Sequence, residues 1–142
     1  MAKVLLDTNI ALDYLSATRP RHADATLLLE SLLESPAFEP CMLASSIKDA
    51  YFILCRHYRN EPLVRERLEA FSSIIDLVDL TADMARRSFD LDEPDYEDGL
   101  VRACAEDLGA AAIVTRDEHA FANSPIPALD ARAFLSRFKD AL

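Results

Sequence analysis

The chain has 142 residues, which fits a single folded domain, and 51% of them are hydrophobic, enough to bury a core without disulfide or metal staples. Its formal net charge of −10 argues by itself against a nucleic-acid-binding protein. No apolar run is long enough to span a membrane, and the N-terminal stretch is unlike a signal peptide. We therefore expect a cytoplasmic protein without membrane contact.

The cysteines and histidines exclude the common thiol and imidazole metal sites. The three cysteines lie far apart, and the three histidines lack zinc-binding spacing. An odd number of cysteines without a Cys-x-x-Cys pair predicts reduced, buried thiols. Any metal site in this chain must therefore be built from oxygen ligands.

Arginine carries most of the positive charge, since twelve of the fifteen basic side chains are Arg. Arg binds phosphate in a bidentate manner that Lys does not match. Two interpretations stay open for the arginines between positions 56 and 67: they lie on solvated helix faces, or they form a phosphate-binding track. These residues are Arg56, Arg59, Arg65 and Arg67.

Hydrophobic periodicity predicts strands that alternate with helices along the whole chain. The predicted strands are 4–6, 38–43, 73–80, 111–115 and 127–129. The predicted helices are 8–15, 22–35, 46–58, 61–71, 81–90, 95–108 and 131–139, with one or two helical turns at 116–121. The expected helix caps are Thr8 or Asn9, Ser45 or Ser46, Thr81, Asp95, Gly109 and Asp130.

This alternation is typical of a parallel sheet that helices cover on both faces. The fold class expected is α/β: a three-layer α/β/α sandwich with a mainly parallel sheet of about five strands. No repeat or linker interrupts the chain, so residues 1–142 are expected to form one domain. The two helices predicted between the second and third strands exceed a minimal crossover and suggest a clip or an interface.

Four aspartates recur where predicted strands end or helices begin. Asp7 ends the first strand, Asp117 follows the fourth by two residues, and Asp49 and Asp98 lie in first helical turns. In a parallel sheet both kinds of position belong to the carboxyl edge, where ligands bind. Four acids at one edge repel one another and raise pKa values unless cations are present. Oxygen ligands favour Mg²⁺ or Mn²⁺.

Each of these acids also has a purely structural interpretation. An Asp in the first turn of a helix stabilises the helix dipole by about 0.3–1 kcal/mol and needs no other role. Asp95 and Asp98 are three residues apart, so Asp95 has the spacing of a helix cap with Asp98 at the third position. Asp7 fits this interpretation least, because it follows a buried apolar run.

Four segments together resemble the motifs of the PIN-domain nucleases. Val4-Leu5-Leu6-Asp7-Thr8-Asn9 resembles the opening of that family. Residues 46–54 resemble its second acidic motif, 95–100 its third, and 114–117 its fourth. Each motif is weak alone, but their order and spacing cover nearly the whole chain. The size is similar to that of the stand-alone VapC-type toxin ribonucleases of type II toxin–antitoxin pairs.

The resemblance implies metal-dependent hydrolysis of an RNA phosphodiester, leaving a 5′-phosphate and a 3′-hydroxyl. It implies one or two Mg²⁺ or Mn²⁺ ions held by Asp7, Asp98 and Asp117, with Asp49 alongside as a catalytic carboxylate. It also implies a cytoplasmic homodimer and a small antitoxin partner whose basic residues enter the acidic pocket. The arginines at 56–67 would then line an RNA track.

Supporting roles follow for three further polar residues. Asn9 and Thr115 are expected to orient the carboxylates or water, although helix capping and turn formation also account for them. Asp95 is either a secondary ligand or only a helix cap. His119 is not needed as a general base, because a bound metal already supplies an activated water.

Two positions depart from the family pattern without loss of a carboxylate. Asp49 stands where the family more often has Glu, which is one methylene longer. Gly99 stands where Ala is common, and Gly in a first helical turn costs up to about 1 kcal/mol relative to Ala. The chain is therefore expected to be active.

Other enzyme classes fit the residues less well. A haloacid-dehalogenase-like phosphatase needs a second Asp at position 9, where this chain has Asn, and a Lys near the late acids. A phosphoacceptor receiver domain needs an acceptor Asp after a middle strand and a Lys after a late one, and neither is evident in this chain. The alternatives that stay open are a PIN nuclease of RNA processing or decay without an antitoxin, and a non-catalytic RNA-binding or scaffold module.

Overall fold

Five short strands form one sheet in which every neighbouring pair is parallel. The computed structural model describes all residues from Met1 to Leu142. The strands are β1 (Ala2–Leu6), β2 (Phe38–Leu43), β3 (Asp76–Val78), β4 (Ala112–Val114) and β5 (Ala128–Leu129). Their spatial order is β3-β2-β1-β4-β5. The predicted five-stranded parallel sheet is confirmed.

Seven helices connect or follow these strands. They are α1 (Thr8–Leu15), α2 (His22–Glu34), α3 (Ala44–Tyr58), α4 (Glu61–Ile74), α5 (Ala82–Arg87), α6 (Tyr96–Leu108) and α7 (Ala131–Arg137). None of them is both long and apolar enough to cross a membrane. The two helices between β2 and β3, α3 and α4, pack against each other.

Alternation of side chains along the strands sorts the core into two layers. Val4 and Leu6 of β1 belong to the larger cluster, which includes buried residues of α1, α2, α3, α4 and α7. Leu5, between them, belongs to the smaller cluster with residues of α6 and Met84 of α5. The three-layer α/β/α architecture is therefore confirmed, with α5 and α6 on the opposite face from the other helices.

The starts of two helices differ from the sequence prediction. Asp7, not Thr8 or Asn9, caps α1: its carboxylate accepts the Thr8 N–H at 2.8 Å. No side chain caps α3, which begins at Ala44, before the two serines expected to cap it. The predictions of Thr81, Asp95 and Asp130 as N-caps and of Gly109 as C-cap are confirmed.

Two segments have a different structure from the one predicted. Residues 73–74 continue α4 instead of beginning β3, so that strand is only three residues long. Residues 116–121 form bends and turns without a helix. The Asp117 carboxylate accepts the N–H groups of His119 and Ala120 at 2.9 and 3.3 Å. This local hydrogen bonding gives the backbone an alternative to a helical turn.

The chain order reverses between β1 and β4. From β1 it moves outward through β2 to β3, then crosses to β4 on the other side of β1 and continues to β5. The Asp7 N–H donates to the Val114 carbonyl at 3.0 Å, so the carboxyl ends of β1 and β4 lie side by side. Open α/β sheets form their ligand-binding crevice at such a point.

Candidate active site

Asp7 sits at the reversal point with its carboxylate held from several directions. The residue is only 8% exposed, and burial raises the pKa of its carboxyl although bonds from Thr115 and Thr8 oppose the shift. One oxygen accepts the Thr8 N–H at 2.8 Å, and the other accepts the Thr115 hydroxyl at 2.8 Å and the Asn9 amide at 3.4 Å. The orientation of this carboxylate is therefore set by α1 and by the segment after β4.

Hydrogen bonds of Thr115 and Asn9 link the start of α1 to the segment after β4. After donating to Asp7, the Thr115 Oγ1 accepts the Asn9 amide at 3.3 Å and the Asp117 N–H at 3.1 Å. The Asn9 side-chain carbonyl accepts the Arg116 N–H at 3.1 Å. Thr115 is 4% exposed, so these bonds form in a water-poor environment where they orient their partners strongly. Both residues have the geometry for orienting carboxylates.

A cleft of about 250 Å³ opens beside Asp7, and all four aspartates line it. Asp7 comes from the end of β1, Asp49 from α3, Asp98 from α6 and Asp117 from the loop after β4. Residues separated by more than a hundred positions thus face the same space. The sheet edge predicted from the sequence is where the structure places them.

Burial and the neighbouring acids together raise the pKa of Asp98. Burial is the largest cause, followed by the charges of Asp95, Asp7 and Asp117, and together they raise its pKa from the ordinary 3.8 to about 7. Burial likewise raises the pKa of Asp49, which the neighbouring Lys48 partly offsets. Acids held together at this cost are typical of functional sites.

Glu97 also lines the cleft, and the sequence analysis missed it. The charge of Asp49 is the largest cause of the raised pKa of Glu97, ahead of burial. Its position beside Asp98 in the first turn of α6 was the available signal. That signal is weak, because adjacent helical residues normally face different directions.

Asp95 is placed differently from the four cleft aspartates. It is exposed and does not line the cleft. Its carboxylate accepts the Asp98 N–H at 2.8 Å as the N-cap of α6. The observed contact is therefore the capping one, through which Asp95 fixes the backbone that carries Asp98.

The oxygen donors of the cleft fit a hard divalent cation. No three acidic, histidine or cysteine side chains lie close enough together to enclose one ion. Mg²⁺ does not need such a cage, since it commonly keeps several waters and binds one or two carboxylates. Carboxylates whose pKa values are raised by burial and by one another gain the most from a nearby cation. The donor set therefore fits Mg²⁺ or Mn²⁺.

The arginines at 56–67 lie elsewhere. All four are exposed and none lines the acidic cleft. Arg65 pairs with Glu61 at 2.9 Å, and Arg67 donates to the Leu15 carbonyl at 3.3 Å while its guanidinium lies over the Tyr58 ring. Arg56 and Arg59 have no ion-pair partner. His119 is exposed and outside the cleft as well.

Comparisons with solved structures place this fold among toxins and toxin–antitoxin complexes. VapC20 of Mycobacterium tuberculosis, described as a sarcin–ricin loop cleaving toxin, shares 17% identity at a TM-score of 0.68, over 81% of this chain and 90% of that one. VapBC2 of Rickettsia felis, bound to a promoter DNA fragment, shares 14% identity at a TM-score of 0.70, over 90% of this chain and 98% of that one. A toxin–antitoxin complex from Klebsiella pneumoniae shares 22% identity at a TM-score of 0.62, over 90% of this chain and 97% of that one.

Sequence comparison gives the family directly. No curated protein sequence matches this chain. A family model described as PIN domain matches residues 3–119, a range that contains all four cleft aspartates together with Asn9 and Thr115. The chain therefore belongs to the PIN-domain family.

Proposed function

We propose that this chain is a metal-dependent endoribonuclease and the toxin of a toxin–antitoxin pair. The observation that carries the proposal is the convergence of Asp7, Asp49, Asp98 and Asp117 in one cleft at the carboxyl edge of the sheet. A scaffold has no use for acids held together at a cost in repulsion, whereas phosphodiester hydrolysis uses them. Residues 1–142 act as one domain in this proposal.

Asp7, Asp98 and Asp117 would hold one or two Mg²⁺ or Mn²⁺ ions, with Asp49 alongside. When bound, such an ion supplies an activated water and offsets the negative charge that builds up on the phosphate. The chain's own contribution is orientation. Thr115 and Asn9 hold the Asp7 carboxylate in one rotamer, and Asp95 fixes the first turn of α6 below Asp98.

A nuclease with a net charge of −10 needs local compensation to bind RNA. Divalent ions in the cleft provide it for the scissile phosphate. We assign the remaining contacts to the exposed arginines Arg56, Arg59, Arg65 and Arg67, as a track outside the cleft. Arginine's planar guanidinium suits phosphate recognition.

The proposal of an antitoxin partner rests on the descriptions of the related structures. Two of the three are a VapBC structure and a toxin–antitoxin complex. An acidic cleft would attract the basic residues of a small antitoxin, and so place inhibition at the site of catalysis. We further propose a homodimer that acts in the cytoplasm.

The test is cleavage of a structured RNA pool by purified protein with Mg²⁺ or Mn²⁺, against EDTA. Asp7→Asn keeps the shape of the side chain and removes its charge, so it should abolish metal-dependent cuts. Asp107→Asn removes an acid that lies outside the cleft and should cut normally. Absence of cuts with either metal, in folded protein free of any partner, would contradict the nuclease.

The toxin role needs its own experiment. Expression of the chain in cells should arrest growth, and co-expression of the small protein encoded beside it should restore growth. Asp98→Asn should be harmless. Efficient RNA cleavage without growth arrest, and without any neighbouring inhibitor, would favour a PIN nuclease of RNA processing or decay.

A further inference from the structure

A second buried carboxylate, Asp13, lies on α1 outside the acidic cleft. The residue is 1% exposed and does not line the cleft. A buried carboxylate is costly unless cations pair with it. Here one oxygen pairs with the Arg19 Nε at 2.8 Å and the other with the Arg116 Nε at 2.6 Å. Asp13 is thus neutralised by two arginines that arrive from different directions.

The two arginines differ in what they are attached to. Arg19 belongs to the short connection between α1 and α2, so its pair with Asp13 is local. Arg116 belongs to the loop after β4, more than a hundred residues away, and directly precedes Asp117. Only the second ion pair therefore joins α1 to the loop that supplies a cleft carboxylate.

The same face of α1 holds this loop at a second point. Asn9 and Asp13 are four residues apart, one above the other on the helix. Asn9 accepts the backbone N–H of Arg116 at 3.1 Å, and Asp13 takes its side chain. The backbone and the side chain of Arg116 are therefore both bound by α1.

The loop beyond Arg116 is ordered internally, and its far end is anchored by Ala120 and Phe121, which are buried in the smaller core cluster, and by the Phe121 N–H, which donates to Glu93 at 2.6 Å. Asp117 donates its N–H to Thr115 and accepts two N–H groups of the following turn. These bonds set the shape of the turn. On the side that faces Asp7 and α1, the contacts that hold the turn are those of Thr115 and Arg116.

We propose that the ion pair between buried Asp13 and partly exposed Arg116 is a positioning device that holds residues 115–117 against α1, so that the Asp117 carboxylate faces Asp7 across the cleft. Asp13 acts through Arg116, and Arg116 acts through Asp117. The proposal rests on the proposed function only in that Asp117 is a metal ligand; the placement of the loop is independent of it.

Metal binding in the absence of RNA tests the consequence for the site. Mn²⁺ affinity is measured by paramagnetic resonance titration for wild type, Arg116→Gln and Arg19→Gln. The control variant Arg19→Gln removes the other ion pair of the same carboxylate, which is 2.8 Å long against 2.6 Å for the Arg116 pair. We expect Arg116→Gln to weaken Mn²⁺ binding by about tenfold, as loss of a supporting contact does in other metal sites, and Arg19→Gln to leave it unchanged.

Amide hydrogen exchange tests the positioning itself without metal. The Asp117 N–H is protected by its bond to Thr115, and its exchange reports local opening of the loop. We expect its exchange to be about tenfold faster in Arg116→Gln and unchanged in Arg19→Gln. Asp13→Asn should reproduce Arg116→Gln. Because Asp13→Asn disturbs a buried site and can prevent folding, the half-exposed Arg116 carries the test.

The outcomes separate this proposal from its rivals. If Arg116→Gln leaves both Mn²⁺ affinity and Asp117 exchange unchanged but raises KM for RNA, Arg116 contacts substrate and the positioning role is wrong. If Arg19→Gln impairs the site equally, the contact only stabilises the fold, which also overturns the proposal. If wild type neither binds Mn²⁺ nor cuts RNA, the proposed function fails, while the exchange comparison still decides the positioning role.

Discussion

At the scale of single residues, the cleft acids set how stability depends on pH. The Asp98 pKa is about 7 in the folded chain, against roughly 4 for a free carboxyl. Between these values the folded state keeps a proton that the unfolded state has released. Folding is therefore favoured at low pH, and this contribution is lost as the pH rises towards 7.

Asp98→Asn should remove that part of the pH dependence. In EDTA, we expect wild type to lose thermal stability between pH 5 and pH 8 by more than the variant does, because Asn has no charge to bury and none to repel its neighbours. RNA cleavage should fall by about 100-fold or more, since the substitution removes a proposed metal ligand. Thermal unfolding at several pH values is the measurement, and parallel curves for the two proteins would contradict the assigned repulsion.

Thr115 offers a second prediction at this scale. Thr115→Val keeps the shape but removes the hydroxyl that donates to Asp7 and accepts from Asn9 and Asp117. Loss of these buried partners should destabilise the fold by about 1–3 kcal/mol and lower cleavage. Thr115→Ser retains the hydroxyl and should recover most activity. Denaturant unfolding and cleavage rates measure both effects, and equal activity of the two variants would exclude the orienting role.

At the scale of elements, the first turn of α6 explains one departure from the family pattern. A methyl group at Gly99 would approach the Ser88 carbonyl oxygen to 3.0 Å. The absence of a side chain lets α6 lie directly against the end of α5, where Ser88 is buried. Sequence reasoning could count the helix-propensity cost of this glycine but not the contact that offsets it.

The role of Asp95 can be decided by two substitutions in this turn. As a cap, Asp95 is replaceable by Asn, so Asp95→Asn should keep both stability and cleavage, whereas Asp95→Ala should cost about 1 kcal/mol. The capped geometry supports this expectation, since Asp95 accepts the Asp98 N–H. Unfolding free energies and cleavage rates are compared. A large loss of cleavage in stable Asp95→Asn would instead make Asp95 a ligand.

At the scale of the whole molecule, charge is unevenly distributed. The four cleft aspartates converge at one edge of the sheet, while unpaired Arg56 and Arg59 lie on and after α3 and do not line the cleft. The proposed RNA track is therefore separate from the acidic cleft. This separation makes the arginine track testable apart from catalysis.

Arg56→Gln with Arg59→Gln should weaken RNA binding and flatten its salt dependence. Each lost contact with a single-stranded phosphate reduces the slope of log affinity against log salt by about 0.7. Arg137→Gln makes the same kind of charge change on α7, where the guanidinium lies over Phe138, and serves as control. Binding is measured with catalytically inactive protein over a range of salt. An unchanged slope would exclude the track.

Much of the fold follows from local patterns in the sequence. Val4–Leu6 and Ala112–Val114 are short apolar runs next to helix-forming segments, and such runs have few alternatives to a buried parallel strand. Thr81 and Asp130 cap helices through bonds to residues three positions on, so nearby sequence is sufficient to predict them. Asp7 and Asp117 accept hydrogen bonds from backbone N–H groups close to them in the chain. These local contacts make Asp7 the cap of α1 and replace the helical turns predicted at 116–121.

The sequence by itself determined the strand–helix alternation and put acids after strands or in first helical turns, because those features depend on hydrophobic period and on neighbours within a few residues. Only the tertiary structure decided which strands are adjacent, and so which distant residues meet. Parallel pairing of β1 with β4 brings Asp7 to Thr115 and Asp13 to Arg116, and packing across the sheet edge adds Glu97 to the cleft. These contacts join residues far apart in the chain, so they form only when the strands have paired and the helices have covered both faces of the sheet.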